Sequence, residues 1–144
     1  KYVGKSKLRE FGLSLGAKYT LSGDDFGNIT VDDGLIYVNA LYDFINNNGE
    51  LGEELKGYFV NSEQNDLKIT DKGIAAATKY GEYSPNYHNI GIVYDNNPYS
   101  VAILTTELAG KNEEKIKNIN SKIYELHRLY NDNRVSYCKD VYNK

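Results

Sequence analysis

The sequence predicts an α/β (α+β) fold in which an antiparallel sheet is flanked by helices. Three observations lead there. Apolar residues recur at helical spacing through residues 6–59 and again through 112–130. Two β-branched apolar runs, Asn89–Asp95 and Tyr99–Thr106, are separated by a short Asn-Asn-Pro turn, which makes them antiparallel neighbours. The 144 residues, 40% of them hydrophobic, suffice for one compact domain with a real core.

Each element follows from its own residues. Ser6–Leu15 reads as a short helix, because Leu8, Phe11 and Leu15 fall on one stripe and Gly16 follows as a stop. Gly23, Asp24, Asp25 and Gly27 mark a turn-rich loop. Thr30 is placed to cap a second helix, with Asp33 at the capping-box position usually held by Glu. That helix carries Val31, Leu35, Val38, Leu41, Tyr42 and Ile45 on its stripe and ends at Asn46-Asn47-Asn48-Gly49. A third helix covers about Gly52–Phe59, with Leu55 and Phe59 apolar.

The period then changes. Ile74–Tyr83 reads as a strand whose Ala75, Ala76 and Ala77 leave room for close packing. Asn89–Asp95 and Tyr99–Thr106 are buried strands. Asn112–Tyr130 is the longest expected helix, with Ile116, Ile119, Ile123, Leu126 and Tyr130 on one face. Residues 131–144 form a polar tail without a strong period, apart from the unit spanning 4–130. The two central strands are apolar on both faces, so both faces need cover. We expect the terminal helix to cover one and a missing N-terminal half, or another chain, to cover the other.

Composition excludes several functions. Seventeen Lys and Arg against 20 Asp and Glu leave a net charge of −3, which does not suit a nucleic-acid binder. Apolar runs such as Val101–Leu104 are far shorter than the roughly 20 residues of a membrane span. The single cysteine, Cys138, excludes an internal disulfide and any multi-cysteine metal site. No glycine-rich phosphate loop, His-Glu-x-x-His or EF-hand pattern occurs. Met is absent and the first residue is Lys1, so we expect a processed form, a fragment or an excised segment.

Several segments together carry a family likeness. They are Thr78-Lys79-Tyr80-Gly81, then Tyr87-His88-Asn89-Ile90-Gly91-Ile92-Val93-Tyr94, then Asn97-Pro98-Tyr99 through Thr105. Upstream stand Gly4, Phe11 and Leu15-Gly16, the helix start Thr30-Val31-Asp32-Asp33, and Gly49-Glu50-Leu51. Their order and spacing resemble the C-terminal part of class A-type serine β-lactamases and related penicillin-recognising proteins. In that family a strand bears Lys-Thr/Ser-Gly, and two antiparallel strands and a long helix follow.

The resemblance implies a chemistry. A serine in Ser-x-x-Lys attacks a β-lactam or a peptidoglycan stem peptide of the D-Ala-D-Ala type, and a Ser-x-Asn loop assists proton transfer. It implies that Lys79 is catalytic and that Lys79, Tyr80, Gly81 and Glu82 line the substrate strand. Lys79 would supply positive charge, and Gly81 would let the substrate backbone lie close. Tyr80 keeps the hydroxyl of the family's Thr or Ser but carries it several ångström outward. The resemblance also implies that the reactive serine lies upstream, in a missing N-terminal half, and that this chain alone is inactive. No cofactor or metal is implied, and the location is extracellular or in the cell envelope. The alternative is a non-catalytic extracellular interaction domain that keeps the fold and has lost the site.

Other candidates are weaker. Ser136-Tyr137-Cys138-Lys139 spells Ser-x-x-Lys, but 8 Ser and 14 Lys in 144 residues produce about one such match by chance. Ser84-Pro85-Asn86 and Tyr94-Asp95-Asn96 match Ser-x-Asn only formally, and both follow Lys79 in turns. Residues 17–29 hold Asp24 and Asp25 but no Glu, so the family's water-activating glutamate is absent there. His88 and His127 read as hydrogen-bonding residues, and Cys138 as a surface thiol.

Overall fold

The computed structural model describes residues 3–19, 28–83, 85–106 and 112–142. Helix α1 (Lys5–Ser14), α2 (Val31–Asn47) and α3 (Gly49–Val60) precede three strands, β1 (Ala76–Tyr83), β2 (Asn86–Val93) and β3 (Tyr99–Thr105). Helix α4 (Asn112–Tyr142) ends the chain. The strands form one antiparallel sheet in the order β1-β2-β3, so the expected order of elements and the sheet are present.

Local chemistry accounts for the helix boundaries. Thr30 Oγ1 accepts the Asp33 N–H at 3.1 Å, which satisfies one of the orphan donors at the start of α2. The Asp33 carboxylate does not turn back to complete a capping box. It accepts instead the backbone N–H groups of Lys18 and Tyr19, each at 2.8 Å, and so ties the chain after α1 to α2. At the other end of α2, Asn46, Asn47 and Asn48 donate their side-chain amides to the carbonyls of Tyr42, Asp43 and Phe44 at 2.7–2.8 Å. Those bonds hold α2 to its last turn before Gly49 begins α3.

Strand β2 begins three residues earlier than its apolar run, because Asn86, Tyr87 and His88 pair with Tyr83, Glu82 and Gly81. Alternation divides the sheet residues between two faces. One face packs Ala76, Tyr87, Val93, Val101 and Ile103 against Leu67, Ile69 and the α4 residues Ile116 and Tyr124. The other packs Ile92 and Ile90 against Val38, Ile45, Leu41 and Tyr42 of α2. The helices α2 and α3 of this chain thus pack on the face for which cover by a missing half or another chain was expected.

Two glycines permit the packing. A Cβ on Gly91 would lie 2.2 Å from the Ala77 carbonyl oxygen, so β1 and β2 can approach only without it. A Cβ on Gly52 would lie 2.2 Å from the Ile45 carbonyl oxygen, where α3 crosses the end of α2.

Helix α4 differs from its expected form twice. It continues to Tyr142, through the residues read as a polar tail, because residues 112–142 contain neither Gly nor Pro to stop it. Its buried face is also rotated. The buried residues are Asn112, Ile116, Asn120 and Tyr124, whereas Leu126 and Tyr130 are each 65% exposed. Asn120 is drawn inward by the Leu67 carbonyl, to which its amide donates at 2.7 Å. The α1 stripe likewise stays open: Leu8 and Phe11 are exposed and Gly12 is the buried residue. Among the described residues, no helix is long and apolar enough to cross a membrane.

Candidate active site

Strand β1 has β2 on one side and no described strand on the other, so it is the edge of the described sheet, the position at which an extended ligand can pair. Lys79 and Gly81 stand on one face of β1, with Tyr80 and Glu82 on the other. The Lys79 side chain is exposed. Its ammonium donates to the Tyr80 carbonyl and lies 4.8 Å from the centre of the Tyr80 ring. Tyr80 itself is half-buried.

Beside Lys79 is an apolar cavity of about 220 Å³. Val38 and Leu41 of α2 and Phe59 of α3 form its walls, and Ala77 and Ile90 lie across the sheet below. The small Ala77 leaves this space open, where the run of alanines suggested close packing. A cation at the margin of an apolar hollow suits an anionic group on a partly apolar ligand.

The residue before Lys79 is anchored from the opposite face. The Thr78 hydroxyl donates to Asn89 Oδ1 at 3.0 Å, and Asn89 Nδ2 donates to Asp66 Oδ2 at 3.2 Å. Asp66 also accepts the Tyr87 hydroxyl at 2.5 Å and pairs with Lys117 at 3.4 Å. Burial first, and then the Asp66 carboxylate, hold the Tyr87 phenol well above its ordinary pKa, so it remains a donor. This network locks β1 to β2 and to α4 where Lys79 leaves the sheet. Sequence reasoning missed Asp66, Asn89 and Lys117. Asp66 and Asn89 meet across 23 residues of chain, and no short motif records that spacing.

The other candidates do not join Lys79. Ser136 and Lys139 lie on the exposed end of α4. Asp24, Asp25 and Ser84 fall outside the described residues. Tyr94-Asp95-Asn96 starts the turn between β2 and β3. His127 Nε2 meets the Asn97 carbonyl at 2.7 Å, and its ring lies 4.6 Å from that of Tyr99, which fits a hydrogen-bonding role. Cys138 is an exposed free thiol. No cluster of three or more metal-binding side chains occurs among the described residues.

The family model described as "Beta-lactamase enzyme family" matches residues 3–127, most of the chain and every element that forms this site. The chain belongs to the β-lactamase enzyme family. Solved β-lactamase-type structures share its fold. A β-lactamase from Sphaerobacter thermophilus superposes with a TM-score of 0.67 at 21% identity, covering 88% of this chain and 55% of that one. PBP-A gives 0.71 at 16% identity, covering 87% and 52%. The TLA-1 extended-spectrum β-lactamase gives 0.68 at 15%, covering 85% and 54%. The chain therefore spans about half the length of the solved β-lactamase-fold chains it matches. A comparison with curated proteins finds no match.

Proposed function

We propose that the chain is the substrate-strand portion of a penicillin-recognising serine hydrolase, acting on β-lactams or D-Ala-D-Ala-type amides outside the cytoplasmic membrane. One observation carries this reading: Lys79 stands exposed on the free-edged strand β1, with the bare Gly81 two residues on along the same face. Support also comes from the family match and from a PBP-A structure described as an acyl-enzyme complex with penicillin G.

In this mechanism the serine comes from a preceding segment of the protein. Its oxygen attacks the amide carbonyl and its proton passes to a base. The C–N bond then breaks, and the leaving nitrogen takes a proton. The Lys79 ammonium attracts the substrate carboxylate and stabilises charge in the proton network. The β1 edge pairs with the extended substrate backbone, which Gly81 allows to lie close.

A second reading, a non-catalytic extracellular interaction domain, is favoured by Tyr80. The family's Thr or Ser is replaced there by a half-buried ring on the face opposite Lys79.

Labelling with a fluorescent penicillin separates the two. A polypeptide joining this chain to an upstream segment bearing Ser-x-x-Lys should form a denaturant-stable adduct. Lys79→Ala should cut the labelling rate by about 100-fold or more while leaving stability within about 0.5 kcal/mol. A folded polypeptide that never labels favours the interaction domain. Nitrocefin turnover by the 144-residue chain alone would overturn the assignment of the nucleophile to another segment.

A further inference from the structure

Two side chains cap the β1 edge. The Tyr94 N–H donates to the Ala75 carbonyl at 2.9 Å, which turns Ala75 toward β2. Alternation along the ladder then turns the backbone N–H and C=O groups of Ala76, Thr78, Tyr80 and Glu82 outward, away from β2. The first of these meets Asn65, whose Nδ2 donates to the Ala76 carbonyl at 2.7 Å.

Asn65 is a fixed cap. The same amide donates to the Val60 carbonyl at 3.2 Å, at the end of α3, and Ala76, Ala77 and Thr78 are all buried. An arriving strand does not reach the edge there. Exposure begins at Lys79, so the reachable outward groups of β1 are those of Tyr80 and Glu82.

The cap on Tyr80 is of another kind. The stem of Lys79 lines the apolar cavity on the α2 face of the sheet. Its ammonium donates to the Tyr80 carbonyl and lies 4.8 Å from the centre of the Tyr80 ring, which belongs to the opposite face. The ammonium therefore sits at the rim of the sheet, where the N–H of a pairing strand would have to stand. A lysine so placed guards an exposed edge against strand addition. Lys79 is exposed and forms no ion pair with a described residue. An ammonium gains more from a carboxylate than from a neutral carbonyl, because two full charges attract.

We propose that Lys79 gates the β1 edge: its ammonium blocks the Tyr80 carbonyl until the free carboxylate of an extended peptide draws it away, and the peptide backbone then pairs with Tyr80 and Glu82. The ligand class is a peptide end with a free carboxylate, and a strand without one meets a closed edge. The inference rests on reading β1 as the substrate strand. To the attraction of a carboxylate it adds a coupling between charge recognition and backbone pairing.

The test uses the 144-residue chain labelled with ¹⁵N and ¹³C, titrated with N-acetyl-Ala-D-Ala-D-Ala and, separately, with its C-terminal amide. The Tyr80 amide proton and carbonyl carbon report pairing. We expect the carboxylate peptide to shift both saturably, with an affinity about tenfold or more above that of the amide. Lys79→Met keeps an apolar stem and removes the ammonium from an exposed position, so the other amide resonances should stay in place. It should weaken the carboxylate peptide by about tenfold and strengthen the amide peptide by about threefold or more. That rise is specific to a gate, because an ammonium that only attracted the carboxylate would leave the amide peptide unchanged. An amide peptide bound equally by Lys79→Met and by the parent, or no Tyr80 response to either peptide in the parent, would overturn the proposal. Penicillin labelling of the longer polypeptide without the rise refutes only the gate. The rise without labelling refutes only the hydrolase reading.

Discussion

The Tyr87 hydroxyl donates to Asp66 Oδ2 at 2.5 Å, joining the second strand to a residue 21 positions earlier in the chain. Asp66 is 3% exposed and also receives Asn89 and Lys117. Removing the carboxylate strands two buried donors and a cation. Asp66→Ala should therefore cost about 2–4 kcal/mol, and Tyr87→Phe about 1–2 kcal/mol. Urea unfolding monitored by circular dichroism measures both. An Asp66→Ala variant within 0.5 kcal/mol of the parent would show that the network contributes little.

Asp33 makes stability depend on pH in acid. The Lys18 backbone N–H first, then the Tyr19 N–H and the Thr30 side chain, hold its carboxyl below the ordinary value of 3.8, against an opposing push from burial. A folded pKa below the unfolded one stabilises the fold above the unfolded pKa. That contribution is lost as pH falls from about 4 through the folded value. Asp33→Asn should lower the melting temperature at pH 7, and the gap to the parent should close by about pH 2. A gap unchanged across that range would count against the assignment.

Two glycines of α3 should respond in opposite directions. Gly52→Ala drives a methyl group against the Ile45 carbonyl and should destabilise by about 2–3 kcal/mol. Gly57 has open space around its missing Cβ, so Gly57→Ala should stabilise by about 0.5–1 kcal/mol through helix propensity. Thermal melts of the two variants should move in opposite directions, and equal shifts would contradict the described crossing of α2 and α3.

Asn120 tests the orientation of α4. Asn120→Leu adds apolar surface to a buried position but leaves the Leu67 carbonyl without its donor. The unsatisfied carbonyl should dominate, at a cost of about 1–3 kcal/mol. A more stable variant in equilibrium unfolding would mean that the carbonyl has another partner.

The site was legible in part. Period-two alternation puts Lys79 and Gly81 on one face of β1 and Tyr80 on the other, which follows from the sequence once the strand is recognised. The Thr30 cap was equally readable, because donor and acceptor lie three residues apart. The cavity beside Lys79 was not, since its walls come from segments far apart in the chain.

Short-range physics thus settled the order of helices and strands and the antiparallel pairing, because propensity, caps and strand alternation act over a few residues. Tertiary structure decided which face of α4 is buried. Apolar periodicity favoured the stripe with Ile119, Leu126 and Tyr130, yet the buried stripe contains Asn112 and Asn120. A buried polar side chain is specified by its partner, and the partner of Asn120 is the Leu67 carbonyl, 53 residues away. Tertiary structure also decided that α2 and α3 cover the second sheet face, where Ile90 and Ile92 pack on α2 and the bare Gly52 lets α3 cross the end of α2.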